Sequence, residues 1–230
     1  MAQPGVRYLV LGRTRGRASI HLIGRYKGEG DLRDVFTTSS IPRSRRLGLY
    51  VFEIAGAAKP EDLVWHIITF DISVARGGRR AGYEYSYIKD MLMLRLCASV
   101  DSSTYICPED YTELLRGYLG RVSESYRLET FKVKVFRDKE RELLKQAFSE
   151  TLGYVLGVLE QLKAKILELR AKKINKALKN VAGKAERISR TVEEALNRGD
   201  NAIKISIMLR APARSKVEEA LASLRKTLAA

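Results

Sequence analysis

Between Arg137 and Arg198 the chain contains no proline, and apolar residues recur at alternating steps of four and three: Phe148, Leu152, Val155, Leu159, Leu162, Ile166 and Leu169. That spacing is the seam of a heptad coiled coil, and as one helix the segment would run roughly 90 Å. A rod of that length must break or find a partner, because an amphipathic helix alone leaves its apolar stripe in water. The stripe also changes register. From Leu167 it continues through Ala171, Ile174, Leu178, Val181, Ala185, Ile188, Val192 and Leu196, a stutter that locally unwinds a supercoil. Asn175, Asn180 and Gly183 are weak helix formers where a turn costs least, and Gly199 stands where a helix C-terminal cap belongs. Two arrangements follow: an antiparallel helical hairpin, or a long helix that self-associates through Leu152, Val155, Leu159, Leu162, Ile166 and Leu169.

Charge divides the chain at nearly the same place. Residues 1–131 hold 19 basic and 15 acidic side chains, whereas residues 132–230 hold 23 and 12, so most of the net +15 belongs to the second part. The basic residue changes from mostly Arg to mostly Lys across the same point. The expected organisation is an α+β domain over 1–136, a long basic helix or hairpin over 137–199, and a strand and helix over 200–230 that return to the first domain.

The first part reads as an antiparallel sheet of four to six strands with a few short helices. Val6–Leu11 and Ala18–Arg25 are strand-like and flank Gly12 to Gly16, whose glycines suit a hairpin. Gly48–Ile54 and Leu63–Val74 add two strands around turn residues Gly56 to Pro60. Arg76 to Arg80 reads as a hairpin tip leading into a strand in which Tyr83, Tyr85 and Tyr87 alternate. Ile88–Val100 favours a buried helix. Pro108-Glu109-Asp110 starts another helix that Gly120 stops. Leu128–Phe136 is a strand with Lys132 and Lys134 on its wet face. Near the end, Ile203, Ile205, Ile207 and Leu209 alternate as a strand, and Ser215 with Glu218 forms a capping box for a last helix.

Few chemistries are supplied. His21 and His66 lack ligands at zinc-site spacing, and Gly12 to Arg17 lacks the Gly-Lys-Ser/Thr end of a phosphate loop, so neither a metal nor a cofactor is expected. Cys97 and Cys107 read as two small core residues of a reducing compartment. No run approaches the roughly 18 apolar residues of a membrane span, and the first residues lack a secretory pattern, so a cytoplasmic location is expected. Only seven Asn and Gln occur in a chain that is 30% charged, a bias towards thermophile composition.

Basic and aromatic clusters are plentiful. Arg13, Arg15 and Arg17, then Arg43, Arg45 and Arg46, then Arg76, Arg79 and Arg80 concentrate planar, phosphate-gripping guanidinium groups in three turns. Tyr83, Tyr85 and Tyr87 beside them could stack unpaired bases. From Gln161 to Thr191 ten basic residues meet two acidic ones, with Lys172, Lys173, Lys176 and Lys179 on or near one helical side. Such a stripe repels itself and implies an anionic partner; the absence of Trp and Phe from that stretch argues against a membrane surface. The expectation is a non-enzymatic protein that binds single-stranded DNA or RNA and self-associates through its helix. The alternatives are a scaffold protein with an acidic protein partner and, less favoured, a metal-dependent RNA-processing nuclease using Glu53, Asp71 or Glu84.

Overall fold

The computed structural model describes residues 8–14, 20–26, 46–54, 64–75, 81–100, 103–134, 138–208 and 211–230. The fold is α+β and divides into two compact units, residues 1–90 with 98–144 and residues 91–97 with 145–230. The boundary between the units falls inside a helix, after Leu144, and residues 200–230 are grouped with the second unit. No helix among the described residues is long and apolar enough to cross a membrane.

Among the described residues unit 1 holds an antiparallel sheet of seven strands: β1 (Tyr8–Thr14), β2 (Ile20–Tyr26), β3 (Arg46–Ile54), β4 (Val64–Ala75), β5 (Ala98–Ser99), β6 (Thr104–Cys107) and β7 (Ser123–Lys134). Their order is β2-β1-β3-β7-β4-β6-β5, one strand more than the widest expectation. The expected β1–β2 hairpin is present, and β1 lies between β2 and β3. Strand β4 sits between β7 and β6 and is the spine of the core. Its first half, Trp65 to Ile68, is buried on both faces; the second half alternates buried Phe70 and Ile72 with exposed Asp71 and Ser73. Strand β7 shows the expected division of buried Phe131 and Val133 from exposed Lys132. The turn expected over Gly56 to Pro60 lies outside the described residues.

Two expected strands are helices. Residues 83–87 lie in α1 (Ala81–Met93), so the alternating tyrosines do not share one face. The reason is the stripe Glu84, Ile88 and Leu92, fully buried at steps of four: the helical period is carried partly by a glutamate, which conceals it from an apolar pattern. Likewise Gly199–Met208 forms a helix, with Asn201, Lys204 and Ile205 as its buried side. Two polar residues on that side leave only the alternating isoleucines visible, and the i, i+3, i+4 burial overrides their strand preference.

Helix α2 (Thr112–Val122) buries Leu115 and Leu119. Its N-cap, Tyr111, makes no side-chain cap bond, but Asp110 just before it accepts a hydrogen bond from the Thr112 amide at 2.9 Å. It runs two residues past Gly120 and passes directly into β7 at the extended Ser123. Gly120 therefore is not its stop.

In unit 2 the long helical segment breaks in two. Helix α3 (Asp138–Ala171) begins in unit 1, and α4 (Asn175–Asn197) follows after three residues. The break is a Schellman cap: the Ile174 amide donates to Leu169 O and the Lys173 amide to Arg170 O, both at 3.0 Å, while Lys173 takes a left-handed φ of 53°. The seam residues Leu152, Val155, Leu159, Leu162, Ile166 and Leu169 are buried within the single chain. Their stripe is covered by packing within the chain, and one uninterrupted helix over 137–199 is not formed. Gly199, with φ +39°, follows α4 as expected of a cap and opens α5 (Gly199–Met208). Helix α6 (Ala211–Ala229) begins four residues before Ser215, so the capping box is absent and Arg214 instead pairs with Glu218 at 2.8 Å. Val217, Leu221 and Leu224 make its buried stripe. It is held to α3 by a hydrogen bond from Lys163 to Ser223 at 2.7 Å, and to α4 by one from Arg214 to Asn197 at 3.2 Å.

Cys97 and Cys107 are not free thiols; both are disulfide-bonded, and they are the chain's only cysteines. The β5–β6 register pairs Ala98 with Ile106 and Ser99 with Tyr105.

Candidate nucleic-acid interface

Strand register decides which arginine clusters can act together. Thr14 pairs with Arg46 and Arg13 with Gly48, so Arg13 and Arg46 sit at one end of the β1–β3 pair. The segments carrying Arg15, Arg17, Arg43 and Arg45 attach at that end and lie outside the described residues. Ala75 pairs with Ser123 at the start of β7, whereas Glu53 pairs with Lys134 at its finish. Arg76, Arg79 and Arg80 also lie outside the described residues.

The tyrosines divide as well. Tyr85 faces β4: its ring stacks on Phe70 with centroids 5.3 Å apart, and its hydroxyl donates to Asp71 Oδ1 at 2.9 Å and accepts from the Ile72 amide at 3.2 Å. It is a packing residue, not a base-stacking one. Tyr83 and Tyr87, four apart on α1, are 66% and 48% exposed, and residues at that spacing are neighbours on a helix surface.

A third ring, from α2, joins them. Tyr118 lies nearly parallel to Tyr87, with centroids 4.7 Å apart and 16° between planes. Its hydroxyl donates to Glu84 Oε2, and Glu84 is fully buried. Burial and then the Glu84 carboxylate push the Tyr118 phenol well above its ordinary pKa, so it remains a donor throughout the neutral range. Nothing in the sequence connects Tyr118 to Tyr87 across 31 positions.

The structure also bears on the nuclease alternative. Glu84 is enclosed and bonded to Tyr118, and Asp71 accepts the Tyr85 hydroxyl. The side chain of Glu53 lies outside the described residues. No group of three or more potential metal ligands occurs among the described residues.

In unit 2 the cap between α3 and α4 carries the expected lysine cluster. Lys172, Lys173, Lys176 and Lys179 are all exposed. Glu168 is claimed twice, by Lys165 at 2.8 Å and Lys172 at 2.7 Å, which lowers its carboxyl pKa to about 2. No carboxylate among the described residues pairs with Lys173, Lys176 or Lys179. Leu167 and Ile174 beside them are 50% and 44% exposed.

No protein-family model matches this chain, and no curated protein matches it. The site must be read from its own chemistry.

Proposed function

We propose that this protein binds nucleic acid without acting as an enzyme, and that single-stranded DNA or RNA is preferred over duplex. The observation that carries the reading is the lysine cluster at the α3–α4 cap. Three of its four ammonium groups face solvent without a described carboxylate, in a chain with a net charge of +15. Mutual repulsion among such charges is relieved by a polyanion that releases its condensed counterions. The two exposed tyrosines of α1 add sequence-tolerant stacking, which an unpaired strand can use and a duplex cannot.

The test is fluorescence-anisotropy titration of labelled single-stranded DNA, single-stranded RNA and duplex DNA across a salt series. Binding should weaken with salt along a straight log–log line. Reversing Lys172, Lys173, Lys176 and Lys179 to Glu should flatten the single-strand slope by up to about 3, since each phosphate neutralised contributes about 0.7. An unchanged slope removes the cluster from the interface, and salt-insensitive or undetectable binding removes nucleic acid as the partner.

One observation favours a second reading, a scaffold that takes an acidic protein partner. Leu167 and Ile174 are exposed among the lysines, and aliphatic side chains suit an amphipathic acidic segment better than a phosphate backbone. Substituting both by Ser should leave nucleic-acid affinity unchanged and weaken only a protein partner.

A further inference from the structure

We infer that Tyr87, backed by Tyr118 and neighboured by Tyr83, is a stacking platform that receives an unpaired nucleobase; this rests on the nucleic-acid reading above. Aromatic rings of this size are usually drawn into a core or an interface, yet Tyr83 and Tyr87 both stand open to solvent one helical turn apart. Tyr87 nonetheless has a fixed backing. Its ring lies almost parallel to Tyr118 at 4.7 Å, which covers one π face.

The backing ring is itself anchored. Tyr118 donates its hydroxyl to Glu84, a fully buried carboxylate three residues before Tyr87 on the same helix. A hydrogen bond to a carboxylate is among the stronger ones a phenol can make, and burial keeps water from competing for it. Glu84 is thus a positioning residue for Tyr118, and Tyr118 for Tyr87. A ring held in place before the ligand arrives loses little conformational freedom on binding.

The form of the site selects its occupant. A half-exposed ring already stacked on one side suits another flat π system, and a chain of +15 draws those carried by an anionic backbone. Unpaired bases meet both conditions. A duplex hides its base faces, so it can offer the platform only its ends. A guanidinium group is also flat and also stacks on tyrosine, which makes an arginine-rich peptide the discriminating rival.

The experiment compares a short labelled oligothymidylate with an abasic strand of the same length, using the full chain at one moderate salt concentration. The base-bearing strand should bind about 5- to 150-fold more tightly, the factor equivalent to stacking one base on an aromatic ring. Tyr87→Ala should erase most of that preference and Tyr87→Phe should keep it, while lysine-cluster reversal should weaken both strands alike. Tyr118→Phe should retain part of the preference, because the ring remains and only its anchor is lost. Tyr83 and Tyr87 are surface residues, so their variants should fold, and circular dichroism checks this. Equal binding of the two strands by the wild type overturns the platform and leaves nucleic-acid binding standing. Failure of both strands to bind overturns the two together. Capture of an arginine-rich peptide that is lost in Tyr87→Ala, without base preference, overturns the nucleobase as occupant.

Discussion

Lys173 should be more stable as glycine. It occupies the C′ position of the cap closing α3, with φ 53°, where a Cβ crowds the following carbonyl at a cost of about 1–2 kcal/mol for any residue but glycine. The two cap hydrogen bonds, Ile174 N to Leu169 O and Lys173 N to Arg170 O, are backbone bonds and survive the change. No described ion pair is lost, since none involves Lys173. Against the gain stands the extra freedom of glycine in the unfolded chain, about 0.5–1 kcal/mol. The net expectation is a stabilisation of up to about 1.5 kcal/mol, or up to about 6 °C in the melting temperature at the usual conversion for 150–250 residues. Thermal unfolding followed by circular dichroism measures it, with Lys173→Ala as the control that removes the charge but keeps the strain. Leu96 supplies the opposite sign with the same backbone. Its φ is 60° in an equivalent cap, where the Cys97 amide donates to Leu92 O and the Leu96 amide to Met93 O. Its side chain, however, is buried, so Leu96→Gly should lose about 1–4 kcal/mol once core truncation outweighs strain relief. A melting temperature for Lys173→Gly at or below that of Lys173→Ala would refute the strain argument.

Other outcomes follow from the geometry. The buried disulfide should resist reductant in the folded protein and react only in denaturant, as thiol titration would show, and Cys97→Ala with Cys107→Ala should cost about 2.5–3 kcal/mol for a closed loop of roughly 11 residues in the chain-entropy model. The lowered carboxyl pKa of Glu168, caused first by its hydrogen bond to Lys165 and then by that to Lys172, contributes stability that is present above 4.5 and is lost as pH falls from there towards about 2. Carboxyl-carbon NMR titration of Glu168, which should move up towards its ordinary value in Lys165→Met with Lys172→Met, checks this. Reversal of Arg43, Arg45 and Arg46 to Glu should weaken nucleic-acid binding in the same anisotropy assay; an unchanged affinity would take that end of the sheet out of the interface.

Much of the fold could be read where apolar residues alone carry the period. Strands β1 to β4 and β7 and helix α6 announce themselves in that way; the stutter at Leu167 left unwinding or a break open, and the break falls at Lys172 to Ile174, ahead of Asn175, Asn180 and Gly183, which lie within α4. The reading failed where a polar residue occupies a core position. Glu84 in α1 and Asn201 with Lys204 in α5 each hid a helix behind a two-residue alternation. The disulfide was legible in principle, since Cys97 and Cys107 are placed symmetrically about Ser102 in a turn-rich stretch, but the expectation of a reducing compartment overrode that symmetry. An oxidised pair is compatible with an intracellular thermophile protein, where disulfides are an accepted exception. Of the site, the lysine cluster could be read from charge alone. The pairing of Tyr87 with Tyr118 could not, because it depends on how α1 and α2 meet.

The cap at Lys173 joins stability to function. Glycine is favoured at C′ because it alone adopts a left-handed φ without crowding, and this chain spends glycine at that position after α4, at Gly199. After α3 it places lysine instead, in the middle of an exposed run of lysines that no described carboxylate neutralises beyond Lys172. Strain retained at a surface position points to a use for the side chain, since folding alone would be served better by its loss. The substitution that should raise the melting temperature is therefore the one that should also weaken binding: removing one of four cluster charges should lessen the single-strand salt slope by about 0.7. A Lys173→Gly variant that gains stability with its slope unchanged would separate the two, leaving the cap a tolerated flaw with no part in recognition.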